Sequence, residues 1–319
     1  MPKFYSRLYT LISGLTGGLL LVSLSQAVSL SQPVANDVAN NETSINIFQA
    51  FILGMVQGLT EFIPISSTAH LKAIPVALGW GDPGVTFTAI IQLGSIVAVL
   101  WYFWQDLTNL GNGVIKAIQT KDYQAQEFKI ITGILIGTIP IIVFGLSLKI
   151  FVPDLDNSAF RSMTTIAIAS IVMALLLGVA EKVSNNNRNF DSLSTKDGIL
   201  IGFAQSLALI PGVSRSGSTI TAGLFLNLER ATAARFSFLL GIPAITLAGL
   251  VELKEVFGGS ATNIGILPLI IGLLSSGIFS YLSIAWLIRY LQRKNTWVFV
   301  WYRLVFGVVI LASVMAGKI

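Results

Sequence analysis

Gln57 and Glu61 stand four residues apart, and Ser66, Ser67, Thr68 and His70 follow within a few positions. Four-residue spacing on a helix puts two side chains on one face, and Pro64 should end that helix near its last turn. A carboxylate, three hydroxyls and an imidazole are thereby drawn together. A nucleophile beside a base, with an acid to orient it, is the pattern of covalent or general-base hydrolysis. A second polar stretch runs from Pro211 to Thr219. Gly212 and Gly217 allow close backbone approach, Ser214, Ser216, Ser218 and Thr219 supply donors, and Arg215 offers a planar fork matched to phosphate oxygens. A helix starting after Gly217 would aim its N-terminal amides at the same anion. Plainer roles compete at each position: a helix-to-helix hydrogen bond for Glu61, a satisfied core histidine for His70, and tight interhelical packing for the serines.

Both stretches lie in strongly apolar sequence. Of 319 residues, 54% are hydrophobic and 11% charged, with a mean hydropathy of +0.77, against roughly 25% charged residues in a soluble domain. This is the composition of an integral membrane protein, in which a buried Glu, His or Arg is costly and persists where it lines a cavity or does chemistry. The formal net charge of +5 is accounted for by loop lysines and arginines that set topology. It gives no support to a nucleic-acid partner. With no cysteine and one histidine, disulfides, thiol nucleophiles, iron–sulfur clusters and multi-histidine metal centres are excluded. Residues 1–44 form a separate region. Lys3 and Arg7 precede an apolar run from Leu8 to Leu24, and Ser25-Gln26-Ala27 follows, so a signal peptide and an uncleaved anchor both fit, with a polar tether over 28–44.

The remainder, 45–319, is expected to be one membrane domain. Eight apolar segments cover about 45–75, 85–104, 129–149, 160–183, 197–225, 232–252, 264–290 and 297–317. Six are long and apolar enough to cross a bilayer. The two that hold the polar stretches are interrupted by Pro64 and by Pro211-Gly212. Broken backbone at membrane depth is tolerated where protein or a wet cavity surrounds it, which makes these two re-entrant helical hairpins. Lys116 and Lys121, then Lys182, Arg188 and Lys196, then Arg289, Arg293 and Lys294 mark three cytoplasmic loops at 105–128, 184–196 and 289–296. The loops at 150–159 and 253–263 belong outside. Consistent alternation then requires the first hairpin to enter from outside and the second from inside. That is the arithmetic of an inverted repeat, with halves at about 45–183 and 197–317 and a site at their interface. At an offset of 148, Gly54, Gln57, Leu59 and Ser66 fall on Gly202, Gln205, Leu207 and Ser214. The expected fold class is all-α and polytopic, with about six transmembrane helices plus two re-entrant hairpins.

Gln57 to His70 and Pro211 to Thr219 together resemble the paired signatures of the undecaprenyl-diphosphate phosphatase family, the bacitracin-resistance type. Those signatures are an (E/Q)xxxE stretch followed by Pro-x-Ser-Ser-Thr-x-His, and PGxSRSxxT. Ile91-Gln92-Leu93-Gly94-Ser95 and Phe236-Ser237-Phe238-Leu239-Leu240-Gly241 extend the likeness, which spans about 45–317. Gln57 stands where many members have Glu, and Ala69 where Gly is frequent.

The resemblance implies a hydrolase that removes the terminal phosphate of undecaprenyl diphosphate, recycling the lipid carrier for peptidoglycan synthesis and conferring bacitracin resistance. It places the chain in the bacterial inner membrane with its site open toward the periplasmic side. It implies catalytic roles for Glu61, Ser67, His70 and Arg215, and substrate contacts from Gln57, Ser66, Thr68, Ser214, Ser216 and Thr219. Either Ser67 or His70 can attack phosphorus on this reading, and Gln57, which cannot act as a base, would orient Ser67 or water. The partners implied are a polyprenyl diphosphate and membrane lipid, with a homodimer admitted. A divalent cation, Mg or Ca, suits a diphosphate, although one embedded carboxylate offers no evident metal cage. Arg303, inside the last apolar segment, fits either a hydrogen-bond partner between helices or a more distant phosphate contact. Inverted repeats with broken helices are also a transporter design, so movement of a polyprenyl phosphate or another anion is the competing function. The lipid-phosphatase class that depends on two catalytic histidines is excluded by the single histidine.

Overall fold

The computed structural model describes residues 45–152, 161–257 and 264–317. The signal or anchor reading for residues 1–44, and the middles of the two loops expected outside, lie beyond those residues. Eleven α-helices carry the described fold: α1 Ile47–Phe62, α2 Ser67–Ala77, α3 Gly84–Tyr102, α4 Trp104–Thr120, α5 Gln126–Phe151, α6 Met163–Val183, α7 Thr195–Ser206, α8 Arg215–Phe225, α9 Arg230–Phe257, α10 Ile266–Leu291 and α11 Trp297–Met315. Among the described residues, the five helices α5, α6, α9, α10 and α11 are long and apolar enough to cross a membrane. α3 and α4 together pass the same test as a pair bent by 62° at Phe103, which makes up to six crossings if the pair counts as one span. The chain is thus an all-helical multi-pass membrane protein.

The bend corrects one expectation. Residues 105–128 read as a loop, yet α4 fills most of it. Trp104, Leu107, Leu110, Val114, Ile115 and Ile118 recur at helical spacing with polar residues between them, so the segment is amphipathic. Counting only long apolar runs passes over such a helix.

The two interrupted segments each fold as helix, turn, helix, with their ends held together. In the first, α1 stops at Phe62 and Ile63 turns extended before Pro64, as the residue preceding a proline is pushed to do. The start of α1 and the residues after α2 meet where Phe48 and Trp80 pack edge to face. In the second, a short 3₁₀ turn at Leu207–Leu209 follows α7, and Ile210 is likewise extended before Pro211. Its ends meet at Arg188, whose guanidinium binds Asp197 at the start of α7 and the Leu226 carbonyl after α8.

The correspondence at an offset of 148 extends into the backbone. Asn46 with Gln49 and Ser194 with Asp197 form capping boxes at the starts of α1 and α7. Helices α2 and α8 have 11 residues each, and Gly79 and Asn227 behind them both have positive φ, 66° and 61°.

Small residues let the hairpins seat deeply. α1 packs on α10 and α7 packs on α5. A Cβ on Gly54 would lie 2.3 Å from the Gly272 carbonyl oxygen, and one on Gly202 would lie 2.1 Å from that of Gly137. α3 rests on α9 and α10, and α6 on α11. The first hairpin opens beside the N-terminal end of α10, where Ile45 and Trp80 share a cluster with Ile264 and Leu269. The second opens near the junction that follows the other end of α10. There Glu181, at the end of α6, accepts bonds from Arg230 at the start of α9 and from Thr296 just before α11.

Candidate active site

The two hairpin turns meet in the middle of the bundle, and the contact between them is polar. Glu61, on the last turn of α1, accepts a hydrogen bond of 2.6 Å from Ser67 Oγ at the first position of α2. The sharp turn at residues 63–66 makes this possible by folding α2 back across the end of α1. Gln57, one turn earlier on the same face, donates to Glu61 Oε2 at 3.2 Å and to Gln92 Oε1 of α3 at 2.6 Å. The carboxylate therefore has a fixed orientation, with one oxygen shared by Ser67 and Gln57. Its other oxygen faces the second hairpin, where Arg215 Nη2 lies 3.4 Å away. Glu61 and Arg215 side chains are 8% and 9% exposed.

Arg215 is the first residue of α8 and is only partly satisfied. Its Nε and Nη1 are buried without a hydrogen-bond partner, a costly state for a charged group. Its guanidinium carbon sits 5.9 Å from the centre of the Phe62 ring. A Cβ on Gly241 of α9 would fall 1.6 Å from Nη1, so only glycine leaves room for the arginine there. Two unspent donors of a planar cation beside a serine–carboxylate pair suit an anion with several oxygens.

The other predicted donors of the second stretch are committed within the protein. Ser214 Oγ accepts from the Gly217 amide and caps α8. Ser216 Oγ donates to the Ile63 carbonyl across the hairpins. Thr219 Oγ1 is bonded to the Arg215 carbonyl and to Ser237, and Ser218 donates to the same Arg215 carbonyl. These hydroxyls stitch the turn and its helix together, which leaves Arg215 with the unengaged donors of this stretch. Thr68 is exposed at the start of α2. Gln205, at the register position of Gln57, is buried with neither amide atom bonded.

Ser66 and Ser214 occupy the same unusual conformation, with φ 76°, ψ 100° and φ 70°, ψ 119°. Non-glycine residues at positive φ cost on the order of 1–3 kcal/mol and persist where the surroundings fix them. His70 does this for Ser66. Its Nδ1 lies 2.7 Å from the Ser66 carbonyl, which accepts only, so the proton is on Nδ1. Its Nε2 lies 2.6 Å from the Tyr302 hydroxyl of α11, and its ring stacks on Phe306 at 4.3 Å between centroids. Both nitrogens are thus engaged away from Glu61, so the imidazole supports the turn that presents Ser67.

Arg303 resolves in favour of a contact between elements. It is 1% exposed and donates to the carbonyls of Pro64, Gly212 and Val213 at 2.8–3.0 Å, and to that of Ser170 at 3.4 Å. Sequence reading passed over Gln92, Tyr302 and Ser237 as site residues. Gln92 and Ser237 sit inside the two strings that extend the family likeness, which was the one available signal. For a cation, no group of three or more His, Cys, Asp or Glu forms among the described residues. Glu61 fits the single-carboxylate mode in which magnesium is held mainly by substrate phosphates and water.

Comparison with known proteins finds relatives of the chain. Residues 50–309 match the family model described as bacitracin resistance protein BacA. A protein of Synechocystis sp. named undecaprenyl-diphosphatase is 64% identical over 296 residues, 93% of this chain and 91% of its own length. Proteins of the same name from Trichormus variabilis and Trichodesmium erythraeum are 57% and 59% identical, over 99% and 94% of this chain and 98% and 96% of theirs.

Proposed function

The chain belongs to the bacitracin resistance protein BacA family, and on that premise we propose that it hydrolyses undecaprenyl diphosphate to undecaprenyl phosphate and inorganic phosphate. The observation that carries this reading is the Ser67–Glu61–Arg215 arrangement, a hydroxyl bonded to a carboxylate at 2.6 Å and faced by an arginine with two free donors. Arg215 holds oxygens of the terminal phosphate, where negative charge gathers in the transition state. Ser67 Oγ bonds to the terminal phosphorus as its proton passes to Glu61. The bridging P–O bond breaks, its electron pair leaves with undecaprenyl phosphate, and the proton follows onto that product. Water then attacks the phosphoserine and gives a proton to the freed Glu61 carboxylate, which returns it to the departing Ser67 oxygen. Gln57 keeps Glu61 in place, and His70 keeps the turn in place. A magnesium or calcium ion held by Glu61 would add charge neutralisation on the phosphates.

The proposal extends to the frame. Helices α1–α2 and α7–α8 are hairpins of an inverted repeat, supported by their common register and by their opening beside opposite ends of α10. The positive loops support a cytoplasmic position for the Arg188 end. The first hairpin then opens toward the periplasm of a bacterial inner membrane, with the polyprenyl chain lying in apolar grooves between helices. A homodimer belongs to the same reading, tested by sizing the protein in nanodiscs.

The test of the chemistry is phosphate release from undecaprenyl diphosphate by the purified protein. Ser67→Ala and Arg215→Ala should each lower turnover by about a hundredfold or more, and His70→Ala should lower it less than Ser67→Ala. Retained turnover in the Ser67 variant would sink the nucleophile assignment. Hydrolysis unchanged in all three variants, with lipid transport lost, would favour a transporter instead.

A further inference from the structure

Arg303 lies outside the catalytic groups, yet it binds the backbone of both turns that carry them. Breaking a helix at membrane depth strands carbonyl groups where water cannot reach them. In this fold the stranded groups include Pro64 from the first hairpin and Gly212 and Val213 from the second, and a single guanidinium spans them. Nη1 donates to Pro64 O at 3.0 Å, Nη2 to Gly212 O at 2.8 Å and Val213 O at 3.0 Å. Nε points to Ser170 O on α6, 3.4 Å away. The neighbouring residues Ser66 and Ser214 both have positive φ, as does Gly212, and each serine is followed directly by a candidate site residue, Ser67 or Arg215. The packing around the arginine is close. A Cβ on Gly217 would come within 2.6 Å of Nη1.

We propose that Arg303 is a positioning residue for phosphoryl transfer: its planar fork fixes the distance and angle between the two hairpin turns, and so between Ser67–Glu61 and Arg215. The proposal rests on the hydrolase reading above. Fork geometry is essential to it, because the donors must reach two turns at once. Lysine keeps the charge as a single point and cannot span both. Arg303 acts through backbone atoms and never touches the lipid phosphate.

The experiment compares purified full-length wild type with Arg303→Lys for phosphate release, and maps amide hydrogen exchange in both. Small misplacements of reacting groups are expensive, so kcat should fall by at least about tenfold while KM stays within about twofold. Exchange should rise at residues 65–69 and 214–218 and remain unchanged elsewhere. Wild-type kcat in Arg303→Lys would overturn the proposal. So would a raised KM at unchanged kcat, the mark of a direct phosphate contact, or a rise in exchange spread evenly over the protein, the mark of general stabilisation. If Arg303→Lys does not fold, Gly217→Ala presses on the same guanidinium and must show the same kcat loss; normal kcat there would equally overturn the idea. Failure of the wild type to release phosphate would sink the hydrolase reading, while the exchange comparison would still report whether Arg303 holds the two turns.

Discussion

At the scale of single residues, the candidate site is concentrated in groups that are expensive to embed in lipid. Glu61 and Arg215 were legible in sequence for that reason, and Ser67 because it shares a stretch with Glu61. The residues that hold Gln57 and His70 were not legible. Gln92 and Tyr302 lie in long apolar segments, one resembling an interior polar residue and the other an interfacial aromatic. Only folding shows that Gln92 receives Gln57 and that Tyr302 holds His70. The hydroxyls of the second stretch were legible as donors but not by destination, since capping and cross-hairpin bonds use the same atoms that would bind an anion. Two predictions belong here. Glu61→Gln removes the proposed proton acceptor while keeping the shape, and should lower kcat by about 10²–10⁴ in a phosphate-release assay. Gly241→Ala puts a methyl group where Arg215 Nη1 lies, and should lower kcat/KM by at least about tenfold by displacing the arginine. Unchanged kinetics in Gly241→Ala would show that Arg215 binds from another position.

At the scale of elements, the informative features are breaks. Pro64 ends α1, and Pro211 the 3₁₀ turn that follows α7, by constraining the residue before them, and the sequence carries that constraint openly. The turn conformations at Ser66 and Ser214 are not written in residue type, because serine rarely adopts positive φ; the backbone is held there by His70 on one side and by capping on the other. Helix α4 escaped notice because amphipathic periodicity is invisible to a count of apolar residues. Close seating of hairpins on crossings makes a further prediction. Gly54→Ala drives a Cβ into the backbone of α10, and overpacking of this kind costs about 1–3 kcal/mol. The thermal midpoint of the purified variant in detergent should fall; an unchanged midpoint would mean that α1 and α10 are less tightly joined than their backbones indicate.

At the scale of the whole molecule, loop charge and two broken segments were enough to expect that residues about 150 apart meet, and Glu61 and Arg215 do meet. Four letter matches at an offset of 148 understated the likeness of the two hairpins, since capping boxes and turn angles coincide where residue types differ. The proposed topology is open to labelling because the chain has no cysteine. Asp82→Cys, beside the opening of the first hairpin, should react with an impermeant maleimide on intact cells, and Asn187→Cys only after permeabilisation. Equal accessibility would undo the opposed arrangement. A site assembled in this way is proposed to work through a covalent phosphoserine, and the stereochemical course at phosphorus tests that claim most directly. With a chiral, isotopically labelled terminal thiophosphate, two successive displacements at Ser67 should release inorganic thiophosphate with net retention of configuration. Inversion, the signature of direct attack by water, would contradict it.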